Sequence, residues 1–320
     1  MSSQHDFSPV ILVTGASGFV GAALMHRLST DGRRVYPAVR KKIAMPDFRL
    51  APDLTATANW RPALQGINVI VHTAARVHIM NDNVADPLAA FRAANVDGTL
   101  ALARQAAEAG VRRFVFISSI KVNGEVSAPG AAFSAKDRPA PVDDYGISKA
   151  EAEVCLQQVA HDTGMQVVII RPPLVYGPGV KANFQSMMWW LRRGIPLPFG
   201  GIQNKRSLVA LDNLIDLIVL CIEHPAAANR IFLAADGDDM STPELLRRVA
   251  ATLGTEAKLF SVPVGLLTGA ARLIGKPAIA QRLCGSLQVD ISETRNVLGW
   301  QPPFTVDMSL YKTAQWFLSR

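Results

Sequence analysis

The sequence predicts an α/β chain, a doubly wound parallel sheet followed by a smaller C-terminal region. Three observations predict it. A short apolar run, Val10–Val13, leads into glycines at 15, 18 and 21 and then into a helical pattern from Ala22. Strand-like apolar runs then alternate with helical stretches as far as Arg171, the rhythm of parallel strands joined by crossovers. Beyond residue 172 that rhythm gives way to Pro- and Gly-rich passages such as Tyr176-Gly177-Pro178-Gly179. The division expected is 8–172 for a nucleotide-binding domain and 173–320 mainly for substrate binding. Part of the later chain, Ile231–Ala234, is expected to return to the sheet.

Composition narrows the function. The chain has 320 residues, 49% of them hydrophobic, enough to bury one large core and a smaller one. The formal net charge is +7, yet no Lys/Arg run exceeds Arg40-Lys41-Lys42 and no basic stripe is interleaved with aromatics. This argues against nucleic acid as a partner and for a basic cleft that takes an anionic substrate. Cys155, Cys221 and Cys284 lie far apart, with neither metal-ligand spacing nor a disulfide framework. No metal site is therefore expected, and the location expected is the reducing cytoplasm. The polar start, Ser2-Ser3-Gln4-His5-Asp6, does not read as a signal peptide. Val262–Ile279 is apolar but interrupted by Pro263, Arg272, Lys276 and Pro277. It is expected to be a buried amphipathic helix, with no membrane insertion.

Taken in order, the β-branched first strand suits burial on both faces. The glycines that follow allow close backbone approach, and the first helical turn offers unpaired N–H groups to a pyrophosphate. Gly15, Ser17, Gly18, Phe19, Val20 and Gly21 are the residues expected to hold a dinucleotide. An acid at the end of the second strand, Arg34–Val39, would bind the adenosine ribose diol, but Arg40-Lys41-Lys42 stands there and the next acid is Asp47. Those cations suit a 2′-phosphate, so NADP(H) is the cofactor expected, with NAD(H) the alternative; a plain solvated charge run is the competing reading. Phe48–Leu54 reads as a third strand and Val69–His72 as a fourth, followed by the small residues Thr73, Ala74 and Ala75 that would admit a cofactor. His72 reads as packed rather than catalytic. Asp86-Pro87 reads as an N-cap with Pro at the first helical position of a helix reaching about Ala109. Arg113–Ser118 is a fifth strand, followed by a polar loop holding Pro129, Gly130, Pro139 and Pro141. Asp143 or Asp144 caps the next helix, and Gln166–Arg171 is a sixth strand ended by Pro172-Pro173. A further helix is expected over Phe184–Arg193.

Tyr145 and Lys149 stand four residues apart on one helical face. A phenol ionises near pH ~10 in water. A neighbouring ammonium and an oxidised nicotinamide would both favour the phenolate, so the expectation is a Tyr145 pKa lowered towards neutrality. Lys149 is also placed to bind the nicotinamide ribose, which makes both residues cofactor contacts as well as catalytic ones.

With Thr14-Gly15-Ala16-Ser17-Gly18-Phe19-Val20-Gly21 and Tyr145-Gly146-Ile147-Ser148-Lys149, the sequence resembles the extended short-chain dehydrogenases/reductases. That resemblance implies a Rossmann sheet and, for many members, a nucleotide-sugar substrate. Ser118-Ser119-Ile120-Lys121-Val122-Asn123-Gly124 is similar to the family's S-S-x-x-V-Y-G element, which implies Ser119 as the catalytic hydroxyl and Lys121 as a substrate contact. Asn123 replaces the usual tyrosine. Ile120 stands where a dehydratase carries an acid, which argues against water elimination. Arg171–Gly179 resembles R-P-x-x-V-Y-G-P-G, which brings Pro172 beside the nicotinamide. Asp53-Leu54 corresponds to the pair that touches adenine, and Asn95 to an asparagine that supports the active site. Asn183 and Arg206 correspond to residues that bind the substrate diphosphate, with Arg282 a loose candidate for a second arginine. An ion pair of Arg206 with Asp212 is the competing reading. Asp290–Trp300 resembles D-x-S-K-A-x-x-x-L-G-W.

The implied activity is oxidoreduction at C4 of a UDP-linked sugar. The basic end of the second strand points to a 4-ketosugar reductase. A 4-epimerase with bound NAD, a reductase of a non-sugar carbonyl, and a non-catalytic NADP-binding protein are the alternatives. Family members often pair the helices around Asn95 and Tyr145, where Leu100, Leu102, Val154 and Leu156 supply apolar faces, so a homodimer is expected.

Overall fold

The computed structural model describes residues 8–41, 47–77, 86–128, 130–273, 275 and 277–320. Lys42, Pro129 and Lys276 therefore lie outside the described residues. The strands are β1 Ile11–Thr14, β2 Val35–Val39, β3 Arg49–Leu50, β4 Val69–His72, β5 Arg113–Ile117, β6 Gln166–Arg171, β7 Leu174–Tyr176, β8 Leu208–Ala210 and β9 Arg230–Leu233. The helices are α1 Phe19–Thr30, α2 Arg61–Leu64, α3 Pro87–Arg92, α4 Thr99–Glu108, α5 Asp144–Thr163 and α6 Ala182–Arg192. After them come α7 Leu211–Glu223, α8 Thr242–Thr252, α9 Val264–Leu273, α10 Pro277–Cys284, α11 Ser292–Leu298 and α12 Val306–Leu318.

Among the described residues, seven strands form one sheet in the order β3-β2-β1-β4-β5-β6-β9. β1 pairs in parallel with β2 (Ile11 beside Val35) and with β4 (Ile11 beside Val69); the β4–β5 and β5–β6 pairs are parallel too. This is the doubly wound α/β fold, with the strand order reversing beside β1. The central strands are buried along their whole length, which is why they read as continuous apolar runs. One layer of core gathers Leu12, Ile70, Phe114, Phe116 and Ile169 with Leu102 and Ala106 of α4 and Leu156 of α5.

The chain divides into two compact units. One comprises the described residues up to Val122, Pro139–Arg171 and Ile218–Phe232. The other comprises Asn123–Arg138, Pro172–Leu217 and Leu233–Arg320. The second unit holds the two-stranded parallel pair β7–β8 and helices α6 and α8–α12.

Several elements differ from expectation for physical reasons. β3 is two residues long because Ala51 precedes Pro52, which has no N–H to extend a ladder. The helix after Asp86 runs without a gap to Glu108, as expected, but Ala93–Gly98 within it is a π-helical turn between α3 and α4. Val262–Ile279 is not one buried helix. It forms α9 and the start of α10, separated by Gly275 at φ +70° with Pro277 opening α10. α9 buries none of its residues. Leu102 and Leu156 lie in the core, so among the four residues expected at a dimer face only Leu100 and Val154 retain exposed surface.

Candidate active site

The glycine turn between β1 and α1 is built for close approach. Gly15 has φ +66°, and a Cβ there would stand 2.7 Å from the Ala74 amide nitrogen. A Cβ on Gly21 would stand 2.1 Å from the Gly15 carbonyl oxygen. Turn and helix are therefore packed backbone to backbone, with no room for a side chain. The Gly18 N–H donates to the Gly15 carbonyl (2.8 Å), and Ser17 and Gly18 are exposed. Phe19, Val20 and Gly21 lie in the first turn of α1, where amides have no intrahelical acceptor. Thr73 ties its hydroxyl to the Thr14 carbonyl (2.6 Å), and Thr73, Ala74 and Ala75 continue β4 past the turn. An anionic pyrophosphate fits such a cradle, so the residues present suit a dinucleotide.

Tyr145, Lys149 and Ser119 lie in the same unit as the cradle. Asp143 caps α5, its Oδ1 accepting the Gly146 N–H at 2.7 Å, and so fixes where Tyr145 enters the first turn. Lys149 is 2% exposed; its Nζ donates to the Ile117 carbonyl (2.9 Å) and lies 5.9 Å from the centroid of the Tyr145 ring. Burial brings the Lys149 ammonium down to about 7, with Glu153 opposing. Tyr145 departs from expectation: burial and then the Asp143 carboxylate push its phenol up, not down. The chain's own residues thus hold Tyr145 protonated, a proton donor at rest. Ser119 is partly buried at the end of β5, its Oγ accepting the Lys121 N–H at 3.2 Å. The Lys121 Nζ forms an ion pair with Asp143, which ties the expected substrate contact to the start of α5.

A buried network missed in the sequence stands behind this set. The Ser118 Oγ donates to Glu153 Oε1 (2.5 Å), and Arg171 donates from Nη2 to Glu153 Oε2 at 2.5 Å. The Glu153 and Arg171 side chains are 3% and 2% exposed. Glu153 follows Lys149 by four residues on α5, which was the available signal: a second charge on the face that carries Lys149. His72 is packed, as read from the sequence, between the hydroxyls of Thr14 (2.7 Å) and Thr99 (3.1 Å). Burial and the nearby Lys149 hold it down at about 3. Asn95, inside the π-turn, accepts the Arg76 N–H (2.8 Å) and donates to the Arg76 carbonyl and Ser148 Oγ (both 3.0 Å). Ser148 in turn donates to the Tyr145 carbonyl (2.8 Å), so Asn95 supports the first turn of α5.

At the far end of β2, Arg40 forms an exposed ion pair with Asp53 at 3.2 Å. The two residues expected to meet the adenosine half thus lie together. Such exposed pairs are worth little, and the guanidinium remains recruitable by a phosphate. Leu54 packs its backbone where a Cβ on Gly98 would stand 2.6 Å away.

The expected diphosphate residues and Pro172 belong to the other unit. Pro172 is buried, and Asn183 is exposed in the first turn of α6. Arg206 donates from Nη1 to the Gly285 carbonyl (3.0 Å); burial and then Arg282 lower its pKa while Glu125 opposes. Two guanidiniums close enough to repel suit an anion. Asp212 pairs with Lys312 (2.6 Å) rather than with Arg206. Asn123 donates to the Ser134 carbonyl (2.9 Å), a structural role. Among the described residues no group of three His, Cys, Asp or Glu side chains is arranged to hold a metal, and no helix is long and apolar enough to cross a membrane.

The chain is 49% identical over 312 residues, 96% of its length and 95% of the relative's, to a UDP-glucose 4-epimerase of Vibrio cholerae. Its fold is that of a Bacillus cereus UDP-glucuronic acid 4-epimerase solved with NAD (TM-score 0.77, 20% identity, 96% of each chain). It is equally that of RMD from Pseudomonas aeruginosa solved with NADPH (TM-score 0.76, 21% identity, 98% of this chain and all of that one). The model of the NAD dependent epimerase/dehydratase family matches residues 11–235, from the first strand of the sheet to just past the last. The chain belongs to that family, and it is an enzyme of the short-chain dehydrogenase/reductase class.

Proposed function

We propose that this enzyme is an NAD-dependent UDP-sugar 4-epimerase acting on a hexose. The observation that carries this reading is the 49% identity to the Vibrio cholerae enzyme across nearly the whole of both chains. A relative that close over 312 residues outweighs the cation cluster that pointed to a ketosugar reductase. Of that cluster, Arg40 stands in an exposed ion pair with Asp53 and Lys42 lies outside the described residues.

When bound, the nicotinamide supplies the hydride acceptor and donor. The chain's residues handle the proton and the oxygen. Ser119 Oγ hydrogen-bonds the sugar 4-oxygen and steadies it as charge develops. Tyr145 exchanges a proton with that oxygen. Because burial and Asp143 hold the phenol protonated, a cation beside it is needed before it can act as a base; Lys149 and the oxidised nicotinamide are those cations. Lys149 also binds the ribose, and the glycine cradle from Gly15 to Gly21 holds the pyrophosphate. Arg206, with Arg282 nearby and Asn183, takes the UDP diphosphate. The three free thiols support a reducing cytoplasmic location. Exposed Val154 on α5 supports pairing of this helix in a homodimer.

The test is direct. The purified enzyme, given UDP-glucose and no added reductant, should form UDP-galactose, read by proton NMR, and should release NAD on denaturation. The reductase reading, which the cations Arg40 and Lys41 favour, wins if no epimer forms while a UDP-4-ketosugar drives loss of NADPH absorbance.

A further inference from the structure

We propose that the α9 surface docks this enzyme on an anionic lipid bilayer, lying at the interface and not crossing it. Neither the catalytic set nor the cradle uses this segment. Leu266, Ala270 and Leu273 recur at the four- and seven-residue spacing that puts them on one helical face. That face is turned to solvent: Leu266 is 66% and Leu273 90% exposed, and no residue of α9 is buried. Just before the helix, Phe260 is 50% exposed. Its backbone is laced to the chain leaving α6: the Phe260 N–H donates to the Leu197 carbonyl (3.1 Å), and the Leu197 N–H donates to the Lys258 carbonyl (2.9 Å). Phe260 thus stands on a fixed support within the unit that also holds α9.

Charge says what covers it. Between Glu256 and Asp290 the sequence holds no acidic residue and four cations; Arg282 stands beside Arg206 at the diphosphate site, which leaves Lys258, Arg272 and Lys276 to border the apolar surface in sequence. Arg272 is exposed on α9 itself, about a quarter turn round from Leu273. Exposed leucines and a phenylalanine within a stretch of sequence that carries cations and no acid are the pattern of a helix lying in a headgroup layer, where apolar burial and attraction to anionic lipid add. A protein partner or a second copy would not call for an acid-free border of this length. The inference stands whichever sugar the enzyme takes.

The test uses the full-length enzyme and sucrose-loaded vesicles, either phosphatidylcholine alone or phosphatidylcholine with about a third phosphatidylglycerol. Co-sedimentation should require the anionic lipid and should weaken as salt rises to about 0.5 M. Leu266→Asn with Leu273→Asn should weaken binding about tenfold or more, and Arg272→Gln by severalfold. Met308→Ser, which alters an exposed apolar residue on α12, should leave binding unchanged. Since Leu266 and Leu273 are at the surface, the double variant should keep the parent melting temperature and epimerase rate on soluble substrate. Absence of binding to anionic vesicles, or equal binding by the double variant, overturns the proposal. So does a fall in sedimenting mass of the double variant without vesicles, which would mean that this face pairs two copies.

Discussion

Replacing Glu153 by Gln should cost this protein about 3–5 kcal/mol of stability, the range for removing one partner of a buried ion pair. The side chains of Glu153 and Arg171 are almost fully enclosed. Arg171 reaches the carboxylate through Nε (3.0 and 3.2 Å) and Nη2 (2.5 Å), and the Ser118 hydroxyl donates to it as well. Gln keeps the volume and one acceptor but removes the charge, so a guanidinium is left in the core without its counter-ion. Against a total of about 5–15 kcal/mol for a typical domain, the loss is large. Urea unfolding followed by far-ultraviolet circular dichroism reads it directly. Glu153→Leu combined with Arg171→Met should be less destabilising than either single change, because the pair is removed together. A second consequence reaches the active site. Glu153 supports the charge of Lys149, so Glu153→Gln should lower the Lys149 pKa below its present value of about 7. The ammonium would then be lost at lower pH, and the alkaline limb of the rate profile should move in the acid direction. A loss under about 1 kcal/mol, or a double variant as unstable as the sum of the singles, would refute the reasoning.

Tyr145→Phe should keep cofactor affinity and lose about two to four orders of magnitude in single-turnover hydride transfer, while Lys149→Met should lose both; transfer at the parent rate would remove Tyr145 from the mechanism. His72, about 3 when folded and near 6.5 when unfolded, stays neutral in the native protein while the unfolded chain takes up a proton. Its contribution to stability is therefore complete above pH 6.5 and should fall by up to ~1.4 kcal/mol per pH unit below it; His72→Asn should flatten that slope in unfolding measured from pH 7 to 4. Gly21→Ala puts a methyl 2.1 Å from the Gly15 carbonyl oxygen, so melting temperature and co-purifying NAD(P) should both drop, and a fully loaded Ala variant would contradict the cradle.

What could be read from the sequence was local. Gly15 and Gly21 announced a backbone contact because no other residue fits there, and Asp86 and Asp143 announced helix starts because a short side-chain oxygen satisfies an orphan amide. Tyr145 and Lys149 were legible because four residues of α-helix set their spacing. What was hidden depends on residues distant in the chain. Ser118, Glu153 and Arg171 come from β5, α5 and β6, and nothing local ties them together. The upward push on Tyr145 from the protein alone was hidden because the sequence displays Lys149 but not how deeply the ring and its neighbour Asp143 are set. Leu102 and Leu156 read as surface candidates because their helices carry apolar residues on several faces, and only packing tells which face the core takes.

The π-turn at Ala93–Gly98 ties the placement of Asn95 to the length of this stretch. A π-turn is a helix carrying one extra residue, and Asn95 owes its position to it. Deleting a single residue between 93 and 98 would return the stretch to regular α-geometry, and because the extra residue is taken up within the widened turn, α3 and α4 would keep nearly the same phase. Leu102, Ala103 and Ala106 would stay on the core face, while Asn95, inside the turn, would lose its placement against Arg76 and Ser148. The extra residue is thus dispensable to the packing of the fold and serves the support of Tyr145, a contribution that a stability measurement would miss and a rate measurement would detect.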